Sequence, residues 1–141
     1  MHIDAFICDA VTNREGLLHI LGAGITMLTR REFPAPLSMS IAVTLTAEHA
    51  GTFNVTANVR ADGSDAVLDN VTGIMLAGPV DPPEDGIVLP FTITLGRSTV
   101  PAPGKYFVDI FVDGALLRTL WFRVRELPMP TAPLQSTDVT Q

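Results

Sequence analysis

The sequence has little cysteine and little positive charge, and both shortages exclude classes of protein. Cys8 is the one cysteine among 141 residues, so no disulfide can form within the chain. This usage fits a reducing compartment, or a protein that folds without disulfides. Nine basic residues stand against fifteen acidic ones, Lys105 is the only lysine, and no basic run exceeds Arg30-Arg31. Nucleic-acid binding requires clustered cations that displace counterions from phosphates, so we expect no nucleic-acid partner.

Long hydrophobic runs are also missing, as is a charged opening segment followed by an apolar one. A membrane-spanning helix requires about 18 or more apolar residues, so we expect no membrane contact and no secretion by signal peptide. Charged residues make up only 17% of the chain, against about 25% in an ordinary soluble domain, and the mean hydropathy is +0.33. Two explanations stay open: a large sandwich core, or apolar surface that other subunits cover.

Period-two alternation of apolar and polar residues is abundant. It is clearest over residues 38–46, 52–60 and 87–95, and it is typical of strands with one buried and one solvated side. We predict an all-β fold, an immunoglobulin-like antiparallel β-sandwich of about eight strands with an extended C-terminal tail. The strands are expected at residues 2–11, 16–29 (with a break at 22–24 as an option), 37–47, 52–61, 65–77, 86–96, 104–113 and 115–126.

Turn residues and prolines separate these runs. TNRE, residues 12–15, is predicted to be a turn at which Asp9 and Asn13 form hydrogen bonds to nearby backbone. Pro90 interrupts its own strand, which indicates an edge strand or a bulge. The β-sandwich domain is expected to span residues 1–127, followed by a tail over 128–141.

The predicted tail, PMPTAPLQSTDVTQ, shows no strand alternation. A segment of this composition is flexible on its own, so we interpret it as a binding arm that lies on a neighbouring subunit. We therefore include three of its prolines in the predicted interface: Pro128, Pro130 and Pro133.

The hairpin over residues 104–126 carries apolar residues on both of its faces. If Asp113-Gly114 forms a two-residue turn, Tyr106 pairs with Trp121; a three-residue loop pairs Tyr106 with Phe122 instead. In either register apolar side chains lie opposite the core, which favours an interaction surface, with a covering loop as the alternative. The hairpin residues that we predict to form the interface are Phe107, Phe111, Leu117 and Trp121.

Patterns that carry catalysis or bind cofactors are weak. Cys8 lies on an apolar strand directly beside Asp9, which favours a buried structural thiol over a Cys/His pair with His19. The histidines lack zinc-ligand spacing, and Gly22-Ala23-Gly24 lacks the third glycine and the helix of a dinucleotide-binding turn. The acidic loop over residues 81–85 lacks the alternating ligands of a calcium loop. We predict no catalytic residues, no metal and no cofactor.

Residues 6–24, FICDAVTNREGLLHILGAG, resemble the N-terminal signature of a family of small bacterial and phage-associated β proteins without assigned function. The signature has an apolar strand, an Asp, a short polar turn, a Gly and an Ile-Leu-Gly strand, matched here by Ile7, Asp9, residues 12–15, Gly16 and Ile20-Leu21-Gly22. A later Pro-Gly-x-Tyr strand followed by Asp-Gly matches residues 103–106 and 113–114. The resemblance spans most of residues 3–126 and implies an immunoglobulin-like sandwich. It brings no catalytic residues.

These observations favour a non-enzymatic structural or protein-interaction subunit that assembles with itself or with a larger complex. The most concrete form is a phage virion protein, such as a capsid decoration or tail subunit. The alternative is a bacterial cytoplasmic β-sandwich whose loops bind an unknown ligand. We expect a protein partner, a homo-oligomer or a larger assembly, and a location in the virion or the bacterial cytoplasm.

Overall fold

A computed structural model describes residues 1–79 and 86–128, and these residues form strands, turns and loops without a helix. Twelve strands follow one another: β1 (His2–Cys8), β2 (Ala10–Arg14), β3 (Leu17–Leu21), β4 (Met27–Arg30), β5 (Ala35–Pro36), β6 (Ser40–Ala47), β7 (Gly51–Ala61), β8 (Val67–Ala77), β9 (Ile87–Thr94), β10 (Thr99–Val100), β11 (Gly104–Val112) and β12 (Ala115–Glu126). The all-β prediction is confirmed. From residue 37 onwards each predicted range holds one long strand.

Two larger sheets carry most of the strands. One has three strands in the order β1-β6-β9, and the other has five in the order β4-β12-β11-β7-β8. The remaining strands of the described residues form two sheets of two strands each, β2-β3 and β10-β5. All pairings are antiparallel except that of β4 with β12, which is parallel. β9 is an edge strand, as Pro90 predicts.

One hydrophobic cluster takes side chains from both larger sheets. β6 contributes Ile41, Val43 and Leu45 at alternate positions, and β11 contributes Val108 and Ile110 in the same way. All five side chains are fully buried. Alternate residues of a strand point to opposite faces, so the period-two pattern of the sequence becomes one buried face on each sheet.

The first two predicted strands are each broken in two. The chain leaves β1 after Cys8, and the Asp9 N–H donates to the Leu21 carbonyl at 3.0 Å, which starts the β2-β3 hairpin. After β3, the Gly24 N–H returns to β1 and donates to the Ile7 carbonyl at 2.8 Å. These crossing bonds give residues 2–29 four short strands, because the hairpin forms a sheet of its own.

The turn predicted over residues 12–15 lies further along the chain. Arg14 pairs with Leu17, so Glu15 and Gly16 form a two-residue turn with φ values of 55° and 77°. Such a turn matches the twist of the flanking strands. The prediction of local bonding by Asn13 is also wrong, because its Nδ2 donates to the distant Pro90 carbonyl at 2.9 Å.

The β11-β12 hairpin contains both registers that the sequence left open. Asp113 and Gly114 form a two-residue turn with φ values of 50° and 83°, and Phe111 pairs with Leu116. The register then shifts by one residue at a β-bulge, so that Tyr106 pairs with Phe122. The extra residue of the bulge is Leu117, and it moves every later residue of β12 relative to β11.

Candidate protein-interaction face

The five-stranded sheet has an outer face that points away from the core cluster. On β11 this face carries Lys105, Phe107, Asp109 and Phe111, which alternate with core residues. The paired residues of β7 and β12 point the same way, because directly opposed residues of antiparallel strands share a face. We refer to this surface as the outer face.

A row of aromatic and cationic side chains crosses the outer face. Phe107 pairs with Trp121 of β12 on one side and with Arg60 of β7 on the other. The Arg60 Cζ lies 4.6 Å from the Phe107 ring centroid, and the Lys105 Nζ lies 5.2 Å from the same centroid. Lys105 Nζ is also 5.3 Å from the Trp121 ring. At these distances a cation is attracted to the ring, so the four side chains form one group, the aromatic–cation row.

Asp109 anchors this row from the neighbouring position. The Arg60 Nε donates to the Asp109 carboxylate at 2.6 Å, and the Thr119 hydroxyl donates to it at 2.7 Å. Burial alone would raise the pKa of Asp109, but the bonds from Arg60 and Thr119 and the Arg60 charge outweigh it, so this pKa lies below its ordinary value. The bond to Asp109 in turn raises the pKa of Arg60. Asp109 therefore holds the guanidinium over the Phe107 ring.

Positive charge collects on the outer face of an otherwise acidic chain. Four of the nine basic residues lie there: Arg60, Lys105, Arg123 and Arg125. Lys105 on β11 and Arg123 on β12 occupy directly opposite positions in the register. Two like charges at opposite positions repel each other and destabilise the strand pair. Asp109 is already bonded to Arg60, so it does not neutralise this pair.

The outer face also exposes apolar side chains, one within the row and others away from it. Trp121 is 45% exposed and Leu116, opposite Phe111, is 54% exposed. On β8, Ile74 and Leu76 are 68% and 73% exposed. The solvated side of an antiparallel sheet is ordinarily polar, so exposed apolar side chains at these positions are typical of a surface that binds another molecule.

The structure places some of the predicted interface residues on the outer face and others elsewhere. Phe107, Phe111 and Trp121 lie on the outer face. Leu117, as the bulge residue, packs against the core cluster, so its predicted place beside Phe111 is wrong; Leu116 takes that place. Pro128 is exposed after β12. Pro130 and Pro133 lie outside the described residues, as does the acidic loop over 81–85.

Sequence reasoning missed Arg60 and Lys105. Lys105 is next to Tyr106 in the hairpin, and an alternation count places it on the same face as Phe107. Arg60 is 47 positions away from Phe107 along the chain, and only the pairing of β7 with β11 brings the two together. No local signal predicts that pairing.

The candidate catalytic cluster near the N-terminus separates in the fold. Cys8 is fully buried, its Sγ is 3.4 Å from the Ser40 carbonyl oxygen, and burial raises the pKa of its thiol. The interpretation of Cys8 as a core residue is confirmed, whereas His19 is exposed on β3. Among residues 1–79 and 86–128, no three His, Cys, Asp or Glu side chains are grouped so that they could hold a metal. Those residues also include no helix long and apolar enough to cross a membrane.

The sequence matches a protein family described as a family of unknown function, DUF6941, over residues 3–125. The chain belongs to this family. The match covers both larger sheets and stops within β12, before the tail. No curated protein matches the chain. DUF6941 membership therefore assigns no activity, and the outer face has to be interpreted from its own chemistry.

Proposed function

We propose that the protein is a non-enzymatic interaction subunit that binds another protein through the outer face of its five-stranded sheet. The observation that carries the proposal is the position of Trp121. This side chain, the only tryptophan of the chain, is 45% exposed in a row with Phe107 and two cations. Trp and Arg are the residue types that most often dominate binding energy at protein interfaces.

The aromatic–cation row supports binding because its side chains are held in place before a partner arrives. Arg60 is fixed by Asp109, and Lys105 contacts both aromatic rings. Ordering a long basic side chain at an interface costs about 0.5–1.5 kcal/mol, and a side chain that is already ordered avoids much of this cost. The row thus offers apolar area and charge at a reduced entropic cost.

The charges of the face indicate the chemistry of the partner. Lys105 contacts the Trp121 ring, and Arg123 and Arg125 follow Trp121 at alternate positions of β12, so the same face carries three cations near one end. An acidic protein surface that also carries apolar side chains complements this arrangement. Its carboxylates would pair with the cations, and its apolar groups would cover Trp121 and Leu116.

We also propose the immunoglobulin-like form of the all-β fold. In this proposal we assign the long strands β1, β6 and β9 to strands A, B and E, and β7, β11 and β12 to strands C, F and G, because the orders β1-β6-β9 and β12-β11-β7 agree with that assignment. The Tyr106 hydroxyl, near the start of β11, donates to the Ala102 carbonyl. This bond has the form of the tyrosine corner at the start of strand F. The strand order and this corner support the proposal together.

A virion subunit, as a capsid decoration or tail protein, stays the most concrete prediction from the sequence. It is compatible with a protein whose binding surface is a sheet face and not a cleft.

Ligand binding is the second candidate. An open depression of about 320 Å³ between β1 and β12, lined in part by Phe6, Ile25 and Arg118, could take a small molecule with an anionic group. A thermal-shift screen tests this candidate, because a specific ligand raises the melting temperature.

The proposed function is tested by purifying the tagged full-length chain from the cells that produce it. Three forms are compared: wild type, Trp121→Ala, and His19→Ala as a control at an exposed site on another sheet. We expect wild type and the control to retain the same stoichiometric partner, and Trp121→Ala to lose at least nine-tenths of it. Equal retention by all three forms would contradict the proposal.

A further inference from the structure

We propose that two copies of this chain pair edge to edge through β8 and join their five-stranded sheets into one sheet of ten strands. The inference goes beyond the proposed function, which concerns the outer face and a different partner. It depends on the free edge of β8 and not on the aromatic–cation row.

β8 is the last strand of the five-stranded sheet and is eleven residues long. Near its start, the Ser98 hydroxyl donates to the Asp69 carboxylate. Beyond that point, residues 70–77 pair with β7 and with no second strand among residues 1–79 and 86–128. An edge strand presents a row of N–H and C=O groups to which another strand can bond.

The other long edge strands in the described part of the chain are interrupted or covered. β9 contains Pro90, which has no N–H, and the Asn13 side chain of the β2-β3 hairpin donates to its carbonyl. On β1, the outward Ile7 carbonyl accepts bonds from Gly24 and from the residue after it. Proteins ordinarily protect sheet edges with proline, charge or covering loops. Over residues 70–77, NVTGIMLA, β8 has neither proline nor a charged residue, and no strand within residues 1–79 and 86–128 bonds to its free edge.

The side chains near the middle of β8 favour close approach by a second strand. Gly73 has no side chain, and a glycine within a strand often marks a place where another backbone approaches closely. The next two outward side chains are Ile74 and Leu76, both mostly exposed. They lie on the same face as each other, so a strand that pairs here also covers apolar area.

A second copy fits this edge because β8 complements itself. In an antiparallel pair with a twofold axis near Ile74, the outward side chains of both copies meet on one face: Ile74 and Leu76 from one copy lie beside Ile74 and Thr72 from the other. The two Asp69 carboxylates would be about 33 Å apart at about 3.3 Å per residue, well beyond the range of strong repulsion. Twofold self-complementary contacts of this kind are the commonest in soluble oligomers.

The net charge of -6 on each copy should make the strength of the dimer depend on ionic strength. Repulsion between two acidic chains opposes pairing at low ionic strength, and salt at about 0.15 M screens charges beyond about 8 Å. We therefore expect dimerisation to strengthen as salt is raised. A contact between two strands is small, so the dimer should be weak.

Sedimentation equilibrium of the full-length chain over a wide concentration range tests the inference. Ile74→Lys places a like charge at the centre of the pair, and Val88→Lys is the matched control, a similar exposed side chain on the protected edge strand β9. We expect wild type and Val88→Lys to dimerise equally and Ile74→Lys to weaken the dimer at least tenfold. At concentrations where all three are monomeric, their melting temperatures should be the same. Leu76→Lys repeats the test if Ile74→Lys does not fold.

Two results would overturn the inference: wild type that stays monomeric at every concentration and salt, or a dimer that Ile74→Lys and Leu76→Lys leave intact. Trp121→Ala separates this inference from the proposed function. Because Trp121 lies three strands away from β8, its variant should dimerise like wild type. A dimer that Trp121→Ala abolishes and Ile74→Lys spares would assign self-association to the outer face and contradict pairing through β8.

Discussion

Phe122 and Trp121 are neighbours on β12 and lie on opposite faces of the five-stranded sheet. Phe122 is fully buried, and its ring stacks on Tyr106 with centroids 5.6 Å apart. Trp121 is nearly half exposed, and the Lys105 ammonium lies over its ring. The inner face therefore stabilises the fold, and the outer face is available for binding. One strand contributes to both faces because successive side chains point in opposite directions.

The two faces also differ in how they use charge. The inner face is formed by apolar side chains from both larger sheets. The outer face has one well-buried carboxylate, that of Asp109, and it is tied to Arg60 and Thr119. Asp109 thus connects the two roles: its bonds stabilise the sheet, and they also place Arg60 in the aromatic–cation row. Substitutions on the two faces should consequently separate loss of stability from loss of binding.

The largest effect on stability is expected for Phe122→Ala. Removing a fully buried ring leaves a cavity in the core and should lower the free energy of unfolding by about 3–5 kcal/mol. Urea denaturation of the full-length chain measures this loss. A loss below about 1 kcal/mol would mean that the inner face is not the main source of stability.

A smaller effect is expected for Asp109→Asn. This change removes the charge that Arg60 and Thr119 bond and should cost about 2 kcal/mol at neutral pH, because hydrogen bonds to charged groups contribute about 1.5–3 kcal/mol. Asp4→Asn, at an exposed position on β1, is the control and should be close to neutral. Equal costs for the two variants would contradict the anchoring role of Asp109.

The cost of Asp109→Asn should also depend on pH. The pKa of Asp109 is lower in the folded state than in the unfolded chain, where an Asp has a pKa of about 3.9. Its contribution is therefore fully present above that unfolded value and is lost as the pH falls through the lower folded value. The gap between wild type and Asp109→Asn should narrow below about pH 4. If the difference in unfolding free energy between wild type and Asp109→Asn grew on acidification, the pKa of Asp109 would not be lowered in the folded state.

Trp121→Ala should have the smallest effect on stability. The side chain lies outside the core, and its cation–π contact with Lys105 contributes about 0.5 kcal/mol. We expect urea denaturation to give a value within about 0.5 kcal/mol of wild type. A loss of about 2 kcal/mol would identify Trp121 as a structural residue and remove the contrast between the faces.

Much of the fold could be predicted from local patterns, and the exceptions have specific causes. Alternation identified the long strands because each has one buried face. The break after Cys8 could not be predicted, since it depends on bonds between Asp9 and β3 and between Gly24 and β1. The two shortest strands, β5 and β10, have two residues each, which is too few for any period to be visible.

The candidate face was predictable in part. Phe107 and Trp121 could be predicted as interface residues because the hairpin over residues 104–126 has apolar side chains on both faces, which is unusual. The β-bulge at Leu117 could not be predicted, because a bulge depends on how two strands pair and not on the residues of one strand. For the same reason the sequence did not indicate that Arg60 joins Phe107, or that the Asn13 side chain bonds to the carbonyl of Pro90.

The most direct test of the proposed function is acrylamide quenching of Trp121 fluorescence, in the free chain and in the chain bound to its purified partner. The chain has a single tryptophan, so in the free protein the signal reports on the outer face alone. Quenching should be efficient in the free chain and should not change on dimerisation through β8. On binding of the partner we expect the quenching constant for Trp121 to fall several-fold. A Trp121 signal that is quenched equally in the free chain and in the complex would contradict binding of the partner through the outer face.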